Sequence, residues 1–244
     1  MAETCLDVVR AGDKDIFLSL LFAPEAAKQH LFALHAFAIE IERIPNLVSE
    51  SQIGEIRLQW WADTVEAISV GTHQDHPIAQ ALAATIKAHD LPLAPLSALI
   101  EVRRFSLYAD KVVSLNDLEG YCGETRAALF QLACAILDRE ASSLAATASG
   151  YAGVAFELAR LMVWPGSERF IPEEISTAEV INLAELRLEE ARAAVAKLPS
   201  SLAPAFLPLA VVPDYLATAR RKGSHVPQWK RQWHIWWAAS RGRL

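Results

Sequence analysis

The 244 residues are 52% hydrophobic and 21% charged, with a formal net charge of −6, a composition that excludes a disordered chain and allows a sizeable core. Alanine is abundant and only 10 glycines occur, which favours helices over a turn-rich β fold. No apolar run is expected to reach the roughly 20 residues that a bilayer span needs, and the acid-bearing start MAETCLDVVRAGDKD lacks the apolar centre of a secretion signal.

Taken in order, the chain reads as helix after helix. A short apolar run covers Asp15 to Leu21. Pro24 opens PEAAKQHLFALHAFAIEIER, since a proline in the first turn loses no bond. Leu31, Leu34, His35 and Ala38 recur there at helical spacing. Pro45 lacks a donor and disfavours α geometry at Ile44, so the helix is expected to end or kink there. In SQIGEIRLQWWADTVEAISVG, Ile53, Ile56, Trp60 and Val65 are read as one apolar side, with Gly71 as the stop.

HPIAQALAATIKAHD and the segment from Pro95 to about Tyr108 follow as helices. Ser114 to Asp117 supply capping groups for LEGYCGETRAALFQLACAILD. ASSLAATASGYAGVAFELARLMVW is a helix of small residues suited to close packing, punctuated by Pro165-Gly166. ERFIPEEI reads as a short connection. Ser176 to Lys197, Ala203 to Ala219 and the tail from Pro227 read as helical. Alternating β segments, short repeats and linkers are lacking, so one all-α domain is expected.

The charge is unevenly distributed. From Ala219 to Leu244 there are seven basic residues and no acid, leaving 16 basic and 29 acidic residues elsewhere. In that tail Trp229, Trp233, Trp236 and Trp237 fall at i, i+4, i+7 and i+8, among Lys230, Arg231, Arg241 and Arg243. Two readings stay open. The tail is an interfacial helix on an anionic membrane, contacting it through Trp229, Lys230, Arg231, Trp233, Trp236 and Trp237. Alternatively it packs on the body through its tryptophans and leaves its charges in solvent, or the two readings divide among different tryptophans. Nucleic acid is not expected as a partner, because the body is acidic and no binding motif is present.

Few residues suggest metal or nucleophilic chemistry. His73 and His76 have HxxH spacing, but no fuller ligand set accompanies them, and His76-Pro77 reads as a helix start. Asp63 and Glu66 read as an exposed face beside a buried Trp60. Ser19 and His35 make no hydrolase, since no GxSxG elbow, GxGxxG or phosphate loop occurs. The cysteines Cys5, Cys122 and Cys134 follow no metal spacing and read as buried, reduced thiols of a cytoplasmic protein.

The segments FLSLLFAPEAAKQHLFALHAF, EIRLQWWADTVEAI, HPIAQAL, Tyr121-Cys122, GYAGVAFEL and RFIPEEI resemble, in order and spacing, the squalene/phytoene synthase family of head-to-head prenyl transferases. The resemblance implies an isoprenoid-synthase-like, single-domain helical bundle around a central cavity, over residues 1–218, with the basic tail 219–244 part of it or appended. Phe37, Tyr121 and Phe156 are the candidate pocket residues on this reading.

The family's reaction needs two DxxxD motifs, because two prenyl diphosphates are bridged by Mg²⁺, which prefers carboxylate oxygens. The first motif aligns with Glu42 and Asn46 in HAFAIEIERIPN, where one carboxylate is longer and the other is an amide. Pro45 is expected to break the helix between them, and Glu40 to face solvent or pair with Arg43. In the second motif the first aspartate falls near Trp164, and Glu168 is the acid close by. TRAALF replaces the small glycine-containing residues usual after Tyr121-Cys122.

These departures resemble a non-catalytic branch that includes the mitochondrial complex I assembly factor with a phytoene-synthase-like fold. The resemblance implies no resident cofactor or metal, complex I subunits or assembly proteins as candidate partners, an isoprenoid lipid as candidate ligand, and a cytoplasmic place at the inner membrane face. The alternative is an active prenyl transferase using Mg²⁺ with Glu42, Asn46 and Glu168.

Overall fold

The computed structural model describes residues 2–48, 50–72, 75–108, 112–164, 171, 174–223 and 225–242. No strand occurs among them. The helices group into two compact units, Met1–Asp110 and Lys111–Leu244.

The first unit holds α1 (Ala2–Gly12), α2 (Lys14–Leu20), α3 (Glu25–Leu47), α4 (Ser51–Ser69), α5 (Pro77–His89) and α6 (Leu93–Leu107). Helix α1 is not among the helices expected from the sequence. Asp13 ends it and starts α2, its Oδ1 accepting from the amides of Asp15 at 3.1 Å and Ile16 at 3.0 Å. Helix α3 packs against all five others. Its expected stripe of Leu31, Leu34, His35 and Ala38 is buried. Phe37 and Ile41 are buried with it, and Leu58, Leu82, Leu96 and Ile100 from α4, α5 and α6 complete that core.

Two expectations are corrected here. Helix α3 does not end at Pro45 but continues to Leu47. Proline's fixed φ is itself helical, and this close to the terminus its missing donor removes a single bond. The buried face of α4 is also not the one read from Ile53, Ile56 and Trp60. Gly54, Leu58, Trp61, Thr64 and Val65 are buried, while Ile53 and Ile56 are exposed and Trp60 is half-covered. Two adjacent tryptophans fit either phase of an amphipathic helix. The close approach of the Leu107 side chain to Gly54 suits the observed one, since a Cβ at Gly54 would lie 2.4 Å from a Leu107 methyl.

The second unit holds α7 (Leu115–Cys122), α8 (Ala128–Leu137), α9 (Ala146–Leu161), α10 (Thr177–Val195), α11 (Ala203–Phe206), α12 (Val212–Arg220) and α13 (Gln228–Arg241). Ser114 caps α7 as expected, its hydroxyl accepting from the Asp117 amide at 3.1 Å. Ser176 and Glu179 form a reciprocal capping box on α10. Helix α9 is buried nearly all round, through Ala152, Val154, Ala155, Phe156, Leu158 and Ala159, as a central core helix must be. It packs on α7, α8, α10 and α12.

The helix expected from Leu118 to Asp138 is interrupted. Gly123–Ala127 forms a π-helical turn between α7 and α8, and Thr125 Oγ1 donates to the carbonyls of Tyr121 at 2.9 Å and Cys122 at 3.1 Å. Helix α9 reaches this turn closely because Gly153 has no side chain: a Cβ there would lie 2.3 Å from the Ala127 nitrogen. Ser200–Arg220, contrary to the expectation that no stretch qualifies, is long and apolar enough by composition to cross a membrane. It is nevertheless 72% buried within the fold and is divided into short 3₁₀ and α pieces. All three cysteines are buried, as expected, and free.

Candidate functional site

The first motif position lies on the last two turns of α3. Glu42 and Asn46 are one turn apart on a continuous helix, so the residue types differ from the family pattern although the spacing is kept. Glu42 is mostly covered, and its Oε2 lies 3.9 Å from an Arg103 guanidinium nitrogen on α6, itself buried. Asn46 is exposed. Arg43 pairs with Glu40 at 3.3 Å, as expected. One carboxylate facing a guanidinium beside a neutral amide does not suit Mg²⁺, which draws hard anionic oxygens around it.

The second motif position follows α9. Trp164 stands where the first aspartate is expected, its indole beneath the Arg160 guanidinium, 5.1 Å from ring centroid to carbon. Glu168, His73, Arg243, Pro165-Gly166 and most of ERFIPEEI lie outside the described residues. The acid that α9 does present is Glu157. It is buried and accepts from Arg126 Nε at 2.6 Å, from Arg160 Nε at 3.1 Å and from Arg160 Nη2 at 3.2 Å. Both arginines are buried too.

This triad escaped the sequence reading, although its signals were there. Glu157 and Arg160 are the charged residues inside the apolar run GVAFELARLMVW, and Arg126 is the basic residue in TRAALF. A charge within a fully buried helix needs a partner. Two guanidiniums share this carboxylate, an arrangement unlike the anionic set that a metal cluster needs. The described residues at the two positions therefore do not fit the family's Mg²⁺ set. Among the described residues no group of three or more His, Cys, Asp or Glu could hold a metal ion.

The candidate pocket residues are all buried. Phe37 meets Trp61 edge to face within the first unit, with centroids 5.3 Å apart. Phe156 meets Phe130 in the second unit, at 6.2 Å, and Arg126 lies over its ring at 5.8 Å. Tyr121 lies at the end of α7. The thiol beside it, on Cys122, is pushed well up by burial and then by the Glu157 carboxylate, so it is no nucleophile at neutral pH.

The first unit also has an open cleft of about 250 Å³ lined by Glu40, Ile44, Leu47, Arg57, Trp60, Trp61 and His76. His76 stands at the start of α5 ahead of Pro77, as expected, and packs edgewise on both tryptophans.

Helix α13 is buried through its aliphatic side, and its tryptophans are open to different degrees. Ile235 and Ala238 are buried, whereas Trp229, Trp233, Trp236 and Trp237 are 70%, 56%, 49% and 42% exposed. Lys230 and Arg231, expected to meet a membrane, turn inward instead, together with His234. Lys230 Nζ lies 2.5 Å and His234 Nδ1 2.7 Å from the buried carboxylate of Asp214 on α12. Arg231 donates to the Tyr215 hydroxyl at 3.2 Å.

Three comparisons bear on this geometry. A family model for squalene/phytoene synthase matches residues 9–162. The human protein named NADH dehydrogenase (ubiquinone) complex I, assembly factor 6 is 28% identical over 244 aligned residues, covering 89% of this chain and 73% of that protein. A solved dehydrosqualene synthase superposes with a TM-score of 0.83 at 14% identity, covering 98% of this chain and 95% of that one. A squalene synthase from Alicyclobacillus acidocaldarius superposes with a TM-score of 0.75 at 19% identity, covering 91% and 94%. At these identities the two structures speak for the fold.

Proposed function

The chain belongs to the squalene/phytoene synthase family, and within it we propose a non-catalytic member that supports assembly of respiratory complex I. The observation that carries this reading is the residue set at the motif positions. The first offers one glutamate set against Arg103. The second offers an indole and the Arg126–Glu157–Arg160 cluster. Diphosphate departure needs metal-held anions, and these positions instead present a neutral amide, an indole and guanidiniums. The resemblance to relatives named as complex I assembly factors, over most of this chain, supports the same reading.

On this reading the partners are complex I subunits or other assembly proteins, and the place of action is the inner membrane face. The test is genetic. Deleting the gene is expected to lower complex I content and NADH oxidation by membranes, and re-supplying either the natural chain or Glu42→Ala is expected to restore both. Unchanged complex I after deletion would overturn the proposal. So would diphosphate release from farnesyl or geranylgeranyl diphosphate that Glu42→Ala abolishes.

A further inference from the structure

We infer that the outward face of α13 is a contact surface for an anionic lipid bilayer. A helix turns by roughly 100° per residue. Trp229, Trp233 and Trp236 therefore project from one side, and Ile235 and Ala238 from the other. The burial follows that division: the aliphatic side is covered and the tryptophan side is open. The helix is thus anchored through its back, by Ile235, Ala238 and the contacts of Lys230 and His234 with Asp214, leaving its aromatic front unused by the second unit. Trp233 and Trp236 lie side by side, with centroids 5.1 Å apart, and Arg241 covers the Trp237 ring at 4.2 Å.

The chemistry of this front selects a lipid interface over another protein. Indole is apolar in its body and carries one N–H donor, which suits the boundary between headgroups and acyl chains. The charge distribution gives the sign of the surface. The segment from Ala219 onward has seven basic residues and no acid, of which Arg220 and Lys230 pair with Glu185 and Asp214. Arg221, Lys222 and Arg241 are exposed. An anionic surface attracts these exposed cations, so contact is drawn by charge and held by tryptophan. A second copy meeting face to face would bring two basic segments together, which opposes pairing. The inference goes beyond the assembly reading and stands on different residues.

The test is flotation of the purified full-length chain with vesicles of equal parts phosphatidylcholine and phosphatidylglycerol, against vesicles of phosphatidylcholine alone. Co-flotation with the anionic vesicles, at least about tenfold weaker on neutral ones, is expected. Trp229→Ser/Trp233→Ser/Trp236→Ser is expected to lose about tenfold or more in partitioning while remaining folded, because those side chains are about half or more exposed. Should the triple variant fold poorly, Trp229→Ser and the quenching of natural-chain tryptophan emission by brominated lipid give the same readout. Absence of the natural chain from the anionic vesicle fraction, or flotation indifferent to the tryptophans, would overturn the inference. So would a tryptophan-dependent dimer or a tryptophan-dependent protein complex that forms without vesicle binding. These readouts involve neither complex I nor turnover, so either proposal can fail without the other.

Discussion

Glu157 accepts a 2.6 Å hydrogen bond from Arg126, which ties the central helix α9 to the π-helical turn that follows α7. Arg160 approaches the same carboxylate from one turn along α9. The cluster is almost fully buried. Neutralising Glu157 takes the charged acceptor from the hydrogen bonds that both buried guanidiniums donate to it. Glu157→Gln is therefore expected to destabilise by about 3–5 kcal/mol, read as a shift in the urea midpoint. A change within about 0.5 kcal/mol would mean that water reaches the cluster in solution.

Gly153 supports the same junction by having no side chain. A Cβ there would lie 2.3 Å from the Ala127 nitrogen and 2.6 Å from its Cα. Backbone cannot move aside as a flexible side chain does. Gly153→Ala is expected to cost about 1–3 kcal/mol or more, whereas Gly150→Ala, with open space at its Cβ, should be neutral or slightly stabilising in mid-helix. Thermal melts of the two variants give the comparison.

Restoring the first motif alone is expected to give no enzyme. Glu42→Asp/Asn46→Asp would recreate two carboxylates one turn apart on α3, yet Trp164, just after α9, and the Arg126–Glu157–Arg160 cluster would remain. Diphosphate release from farnesyl diphosphate with Mg²⁺ should stay at background, beside an active family enzyme as control. Measurable release would show that a single acidic helix suffices here.

The buried thiols predict an alkaline limit. Burial pushes Cys134 up to about 12 from an ordinary 9.0 and raises Cys122 and Cys5 as well. The folded state thus holds the thiol form and the unfolded chain the thiolate. Their contribution is fully present below pH 9 and falls as pH rises toward 12, by at most about 1.4 kcal/mol per unit for each thiol. Urea midpoints measured upward from pH 8 should decline beyond pH 9, and less so in Cys134→Ala. At neutral pH a thiol reagent should label the native chain far more slowly than the urea-unfolded one.

The sequence by itself determined the helical class, the family, most helix positions and the poverty of the acidic motifs. These are local properties: the spacing of Leu31, Leu34 and Ala38, the cap at Ser114, and the amide of Asn46 can be read without neighbours. Tertiary structure decided what depends on which face meets which. Trp60 and Trp61 are adjacent, so periodicity could not choose the buried one until Gly54 met Leu107. Pro45 reads as a breaker, yet the helix continues to Leu47. Glu157 and the two arginines are separated in sequence by up to 34 residues, and only the packing of α9 against the π-helical turn makes them one cluster. The tail's pattern defined a stripe of tryptophans but not its direction. Asp214 decided that, by drawing Lys230 and His234 inward and leaving the indoles facing out.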